Sequence, residues 1–413
     1  MLSDLDDHFW NPGVFPHIRP TRGGNPRVGE VDDTLFTPSF WQMASFANVL
    51  FWDVQLTRSA ESGRRLDAQW RHIRMLWSDS ELSSAGPAAQ IMNVSDDAAW
   101  AINYLVQTYA ATGDKRALND AKALLPNILD RWADPNAPRV AFGRLRGSPY
   151  GILYATRDGD PDHQGVSSIY ESMIANAALE IHCASNDEGE LAYARATFDW
   201  SKRYLRHAST GLYYTELDLA PRLANGSANP HYLKPMGDNL GPPVRGVDAT
   251  YLGGTMAMGV LASRLYKLTG EAAYLAEAKS TAAAMSRNDT YLRPGGGLVN
   301  ARDPWTDGYW APAYAAEVLT LPGVDPDHGL RRAMIVTAKA ILAQRTADGF
   351  YGADWTGPER NPVTGAMTWI EDAARRAGSG SGQALPQQIM TSSNSASMVQ
   401  GGLAAERVHP PRS

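Results

Sequence analysis

From residue 38 onward the apolar residues fall into two kinds of helical segment. In stretches such as 114–133 and 271–287, apolar positions share one face and Lys, Asp and Glu occupy the other. Stretches such as 98–110 and 252–266 are apolar on most faces, with Gly, Ala and Met where helices must approach closely. The first pattern predicts outer helices with one wet side, and the second predicts helices enclosed by neighbours. They alternate in pairs: about 38–59 and 64–78, 95–112 and 114–133, 166–185 and 188–207, 250–269 and 271–287, 308–321 and 327–346, then one helix near 392–408. Five pairs and a single helix make nearly six hairpins. Residues 1–37, rich in Pro, Gly and Asp, are expected to form an irregular arm ahead of one domain spanning 38–413.

One hairpin is written twice. Tyr109-x-x-Thr112-Gly113-Asp114-x-x-x-Leu118-x-x-Ala121-Lys122 recurs 157 residues later as Tyr266-x-x-Thr269-Gly270-Glu271-x-x-x-Leu275-x-x-Ala278-Lys279. Gly113 and Gly270 suit the left-handed residue that ends a helix, and Asp114 and Glu271 stand where negative charge favours the next helix start. A weaker third copy is expected at Gly189-Glu190-Leu191, before Tyr193 and Ala194. After the later helix of several pairs comes Gly followed by β-prone residues: Gly211-Leu212-Tyr213-Tyr214, Gly297-Leu298-Val299 and Gly349-Phe350-Tyr351. Helix, tight turn, helix and short extended return is the unit from which a ring is built, so the fold class is all-α, an (α/α)6 toroid. The long Pro/Gly-rich connections at 133–165, 215–249 and 352–390 are expected to shape a cleft, and Gly378-Ser379-Gly380-Ser381-Gly382 is expected to be mobile.

Composition narrows the functions open to such a ring. A formal net charge of −6, without a Lys/Arg cluster, argues against a nucleic-acid partner. The 12 Trp and 17 Tyr against 9 Phe lean towards carbohydrate, because an indole or phenol offers a flat apolar face with a polar edge. The lone Cys183 excludes an intrachain disulfide and is expected to be a buried filler. The His residues form no His-x-x-x-His or His-Glu pair, so no metal and no cofactor is expected. No segment has the apolar length of a membrane span, and Met1–Trp10 lacks the pattern of an export signal. The expected state is a monomer.

The chemistry concentrates at Ser95-Asp96-Asp97-Ala98-Ala99-Trp100. Ser95 is expected to be the N-cap, which puts both aspartates in the first turn of an inner helix, with Trp100 a turn below as part of a pocket floor. Two carboxyl groups about 5–5.5 Å apart can act as nucleophile and acid/base on a glycosidic bond. Their repulsion raises one pKa while the helix N-terminus favours charge on the other. The same tripeptide also makes an ordinary capped helix start, and Asp6-Asp7 and Asp32-Asp33 show that the dipeptide alone is weak evidence.

These residues resemble glycoside hydrolase family 76, the α-1,6-mannanases. Asp96-Asp97-Ala98-Ala99-Trp100, with Tyr104-Leu105, Tyr109 and Thr112-Gly113-Asp114, is similar to that family's Asp-Asp-x-x-Trp helix and Thr-Gly-Asp turn. Phe40-Trp41, Ile174-Ala175-Asn176-Ala177 and Ala262-Ser263-Arg264-Leu265 extend the likeness over roughly residues 38–320. The resemblance implies a retaining, endo-acting α-mannanase or transglycosylase, with Asp96 as nucleophile and Asp97 as general acid/base. An α-mannan substrate in turn implies an exported protein. Two departures bear on specificity: Ala101 replaces a second Trp, and Trp305-Thr306-Asp307-Gly308-Tyr309-Trp310 stands where the family has Trp-x-Tyr-Asn-Gln-Gly.

Further sugar-binding candidates are Trp100, Tyr170 and Asn176, with Glu171 beside them, and Asp307, Tyr309 and Trp310 at the fifth inner helix. Asp248 and Tyr251 have less support. For each, core packing or capping is the competing explanation. Other activities of the same ring remain open: unsaturated glucuronyl hydrolase, polysaccharide lyase, epimerase, or a glycan-binding protein without turnover. An epimerase would use paired histidines, and His182 is the only one deep in an inner helix.

Overall fold

The computed structural model describes residues 40–76, 95–132, 139–147, 165–214, 216–218, 234–235, 250–287, 291–292, 296–298, 307–343, 355 and 389–407. In chain order the helices are α1 (Phe40–Thr57), α2 (Ala60–Leu76), α3 (Ser95–Thr112), α4 (Lys115–Arg131), α5 (Ser168–Ser185), α6 (Glu188–Tyr204), α7 (Leu252–Thr269), α8 (Ala272–Arg287), α9 (Ala311–Ala313), α10 (Gly329–Ala343) and α11 (Ile389–Arg407). Short strands lie between them: β1 (Val140–Phe142), β2 (Leu145–Gly147), β3 (Gly165–Ser167), β4 (Tyr213–Tyr214), β5 (Glu216–Asp218), β6 (Lys234–Pro235) and β7 (Thr250–Tyr251). The expected N-terminal arm and the Gly378–Gly382 stretch lie outside the described residues.

The helices alternate as the apolar pattern requires. In α7 an unbroken run from Leu252 to Ser263 is buried, as expected of a helix surrounded by others. In α4 the buried positions Ala117, Leu118, Ala121, Leu124, Leu125, Ile128 and Leu129 follow the 3.6-residue period of one face. Enclosing a side chain such as Leu125 stabilises by roughly 1.5–3 kcal/mol, so this stripe fixes which side of α4 faces inward.

A single turn design joins four of the hairpins. Gly113 and Gly270 both have φ +72°, as the repeat predicts. Their N–H groups bond back to Tyr109 O at 2.7 Å and Tyr266 O at 2.8 Å. Before each, a threonine hydroxyl donates to the carbonyl four residues earlier and accepts the N–H two residues later, so Thr112 serves Asp114 and Thr269 serves Glu271. The third copy sits earlier than the sequence suggests. Asn186, at φ 57°, takes the glycine's place and Asp187 caps α6 by accepting from Gly189 N. The signal was hidden because Asn, like Gly, tolerates the left-handed conformation. The α1–α2 turn is a fourth version, with Arg58 at φ 62° and Ser59 Oγ accepting from Ser62 N.

The chain gathers into two compact units. The unit of residues 70–241 and 248–281 contains α3 packed on α4 and α5, and α5 packed on α6 and α7. Here β4 pairs with β7, which leads into α7, giving the extended return expected at Gly211–Tyr214. The β1–β2 hairpin lies against α4 and α6. Gly189 allows that contact, since a Cβ there would meet Phe142 O at 2.4 Å. Cys183 is exposed on the last turn of α5, which corrects the expectation of a buried filler. The fully enclosed part of α5 ends at His182, one residue earlier.

The unit of residues 1–69, 242–247 and 282–413 centres on α11, which packs on α1, α9 and α10. Two glycines let α11 approach: a Cβ on Gly401 would meet Ala311 Cβ at 2.8 Å, and one on Gly402 would meet Ala338 Cβ at 2.4 Å. The Gly297-Leu298 return is an isolated bridge between Leu292 and Leu298, while Gly349-Phe350-Tyr351 lies outside the described residues. The segment expected as one helix over 308–321 is broken up. A turn at 307–310 precedes α9, and α9 runs into a π turn over Tyr314–Val318, closed by Leu319 N on Tyr314 O at 3.1 Å. Pro312 inside this segment supplies no N–H, and a π turn absorbs one extra residue that periodicity alone does not reveal.

Candidate active site

Asp96 and Asp97 lie in the first turn of α3, an inner helix whose next residues, Ala98 to Trp100, are buried. Their side chains lie outside the described ones. Ser95, expected to be the N-cap, is instead the first helical residue, and its buried Oγ makes no hydrogen bond among the described residues. A residue already inside the helix cannot use its side chain as a cap does. Trp100 is buried.

On the neighbouring helix α5, Tyr170 is half-buried and Glu171 fully buried in the first turn. Glu171 is within electrostatic reach of Tyr193 on α6. The Tyr193 hydroxyl titrates well above 10, chiefly through burial and then through that carboxylate. Asn176 is enclosed, and its Nδ2 donates to Ser172 O at 2.8 Å and across to Ala257 O on α7 at 3.4 Å. It ties two inner helices together. His182 lies near the far end of α5 with Nδ1 against Asp187 O at 2.8 Å. Asp248 and the side chain of Tyr251 lie outside the described residues. Trp100, Tyr170 and Asn176 thus stand on adjacent helices of one unit.

In the other unit, Asp307, Tyr309 and Trp310 share the turn that leads into α9, and all three are buried. The Tyr309 and Trp310 rings meet edge to face at 5.7 Å. Gly308, just before Tyr309, has no room for a side chain, since a Cβ would lie 2.6 Å from Asn394 O and 3.0 Å from Trp355 Cζ2. Sequence reasoning missed the residues around this turn. Asn48 is a lone amide in the apolar stretch Phe46–Leu50, and Asn394 sits in the uncharged run Thr391–Ser397. Both patterns signal polar groups meant for partners inside a core. Among the described residues no group of three or more His, Cys, Asp or Glu side chains gathers as a metal would need, and no helix is long and apolar enough to cross a membrane.

No family model matches this chain, and neither does any curated protein. Solved structures do. A family 76 α-1,6-mannanase from Salegentibacter sp. HEL1_6 superposes with a TM-score of 0.68 at 15% identity, covering 98% of this chain and 97% of that one. An inactive variant of that enzyme, with two consecutive aspartates replaced by asparagine, was solved with α-1,6-mannotriose and gives 0.66 at 16% identity, covering 98% and 97%. A family 76 mannosidase from Bacteroides thetaiotaomicron VPI-5482 gives 0.64 at 14% identity, covering 98% and 96%. These similarities show the fold: the chain has the (α/α)6 barrel of the family 76 glycoside hydrolases.

Proposed function

We propose that this chain is a family 76 glycoside hydrolase that cleaves α-mannan at α-1,6 bonds with retention of configuration, using Asp96 as nucleophile and Asp97 as general acid/base. The observation that carries this is the position of the pair. Two consecutive aspartates open an inner helix in a chain that shares its fold, end to end, with an α-1,6-mannanase whose inactive form lacks two consecutive aspartates.

In the first step the Asp96 carboxylate attacks the anomeric carbon, the glycosidic C–O bond breaks, and Asp97 gives its proton to the departing oxygen. In the second step Asp97, now ionised, takes a proton from water. The water oxygen attacks the anomeric carbon and Asp96 leaves, which restores both groups. The N-terminal end of α3 favours charge on Asp96, and two neighbouring carboxyl groups resist joint ionisation, which keeps the proton on Asp97. Trp100, Tyr170, Asn176, Asp307, Tyr309 and Trp310 are assigned to the sugar-binding surroundings.

The test is turnover of linear α-1,6-mannooligosaccharides by the wild type and by Asp96→Asn and Asp97→Asn. Both variants are expected to lose hydrolysis, Asp97→Asn by about 10²–10⁴-fold, while still binding the oligosaccharide. Proton NMR of the first product should show the α-anomer. Full turnover by both variants would remove the mechanism, an unsaturated sugar end would make the enzyme a lyase, and binding without turnover by the wild type would make it a lectin-like protein.

A further inference from the structure

Two inner helices of one unit, α5 and α7, are bound to each other along their length. Asn176 Nδ2 reaches Ala257 O at 3.4 Å, and further on Arg264 pairs with Glu180 at 3.0 Å. Advancing along one helix advances along the other, so the two run in the same direction and open at the same end. In the same unit α3 packs on α5 and is likewise the first helix of its hairpin, so it opens there too, with Asp96 and Asp97 in its first turn.

At that end one stretch of chain serves both α5 and α7. Strands β4 and β5 follow one another with a single residue between them. Tyr213 and Tyr214 of β4 pair with Tyr251 and Thr250 of β7, which runs directly into α7. Glu216, Leu217 and Asp218 of β5 pair with Ser167, Val166 and Gly165 of β3, which runs directly into α5. The entries of two neighbouring helices therefore hang from the same stretch.

A ladder two residues long is weak by itself, and β4 is made fast by other bonds. Tyr213 N donates to the buried Thr255 Oγ1 in the first turn of α7 at 3.0 Å, and Tyr214 N donates to Leu205 O at the end of α6 at 2.8 Å. The Tyr213 phenol donates to Glu277 Oε1 on α8 at 2.9 Å. Strand β5 instead lies between β3 and β6. The stretch thus has a fixed end at β4 and a carrying end at β5, and the place of the fixed end sets where α5 begins. Asn176 and Glu180 already hold α5 to α7 at mid-length and beyond, so cohesion does not require this third tie. What it adds is at the open end, where the helices would otherwise be free to splay. The first turn of α5 there carries Tyr170, half-buried among enclosed neighbours. Side chains that meet a substrate need support that holds them to within about 0.5 Å.

We propose that Thr255 and Tyr213 are positioning residues for the glycan site: by holding β4 they fix the first turn of α5, and with it Tyr170, relative to the aspartate pair on α3. The inference deepens the glycan-hydrolase proposal and rests on it. Thr255 and Tyr213 touch no sugar and act through the strands, whereas Tyr170 makes the contact.

The experiment is a double-mutant cycle on KM and kcat with the oligosaccharide that the wild type cleaves best in a panel of mannans, glucans and xylans. Thermal unfolding of each variant is recorded alongside. Thr255→Val keeps the branched shape and deletes the acceptor, and is expected to raise KM about threefold to tenfold with kcat changed less than about twofold. Thr255→Ser keeps the hydroxyl and is expected to stay close to the wild type. Tyr170→Ala is expected to raise KM by a similar factor, and Thr255→Val to add little in that background. The inference falls if Thr255→Val lowers thermal stability while KM stays put, if Thr255→Ser raises KM as much as Thr255→Val, if Tyr170→Ala leaves KM unchanged, or if the two effects multiply. Should Thr255→Val not fold, Tyr213→Phe decides in its place. It frees the same strand from Glu277, so KM must rise in the wild-type background and not in Tyr170→Ala. A wild type that neither binds nor cleaves any glycan in the panel removes this inference together with the glycosidase proposal. Turnover by the wild type with KM unmoved in these variants removes this inference alone.

Discussion

The phenol of Tyr213 donates to Glu277 Oε1 at 2.9 Å, and neither residue is exposed. Glu277 on α8 also pairs with Lys202 at 3.1 Å and Arg206 at 3.1 Å, so one carboxylate anchors the end of α6, strand β4 and α8. Burial, and then the Glu277 charge, hold the Tyr213 hydroxyl well above its ordinary value of 10. Glu277→Ala is expected to cost on the order of 2–4 kcal/mol, less than for a fully buried pair because both cations keep contact with water. Tyr213→Phe leaves those ion pairs in place and should cost about 1 kcal/mol. Urea unfolding of both variants checks the order, and equal losses would show that the phenol and not the ion pairs carries the anchor.

The hairpin turns make a second prediction. Gly113 has φ +72° and open space where a Cβ would go, so a side chain there meets backbone strain and no clash. Asn186 performs the same task at φ 57°. Gly113→Ala should therefore destabilise by about 1–2 kcal/mol and Gly113→Asn by clearly less. Equal midpoints for the two variants in denaturant would mean that the turn conformation does not limit this hairpin.

How far the sequence led depends on what kind of signal each element carries. The pairing of helices was legible because α4 and α7 differ in how many of their faces are apolar, and the tight turns were legible at Gly113 and Gly270 because glycine is the residue that takes the left-handed conformation most readily. The third turn was misplaced because Asn186-Asp187 satisfies the same geometry with other letters. The cap expected of Ser95 failed because a one-residue shift in where α3 begins turns a capping hydroxyl into a helical one. Asp96, Asp97 and Trp310 could each be singled out as candidates from local motifs. Asn48 and Asn394 are 346 residues apart, and what joins them is their meeting at one turn through Tyr309 and Gly308, which no local pattern encodes.

Gly308 tests whether that turn is as closely held as its contacts indicate. An added methyl would lie 2.6 Å from Asn394 O, a backbone atom that cannot rotate away, and 3.0 Å from Trp355 Cζ2. Gly308→Ala should cost roughly 1–3 kcal/mol through overpacking. It should also bring Trp355 into contact with water, visible as a red shift in tryptophan emission. Wild-type stability together with an unchanged spectrum would mean that the turn gives way easily.

The last prediction concerns acid. Asp187 and Glu190 flank Arg144, which bonds Asp187 at 2.7 Å and also pairs with Glu190, pinning the β1–β2 hairpin to the start of α6. Their environments push the two carboxyl groups apart. The Gly189 N–H, and then Glu190 and Arg144, hold Asp187 below its ordinary 3.8, whereas burial pushes Glu190 above 4.5 despite Arg144. A depressed folded pKa means that Asp187 contributes its stability above 3.8 and loses it as pH falls through the lower folded value. A raised folded pKa means the opposite for Glu190, whose contribution is complete below 4.5 and is lost as pH rises through the folded value. Asp187→Asn keeps an oxygen for the Gly189 N–H and should flatten the loss of stability below about pH 4. Glu190→Gln should instead remove a decline that begins above about pH 4.5. Unfolding in urea from about pH 2.5 to pH 7 separates the two slopes. If both variants track the wild type across that range, the carboxyl pair does not carry the pH dependence of this hairpin.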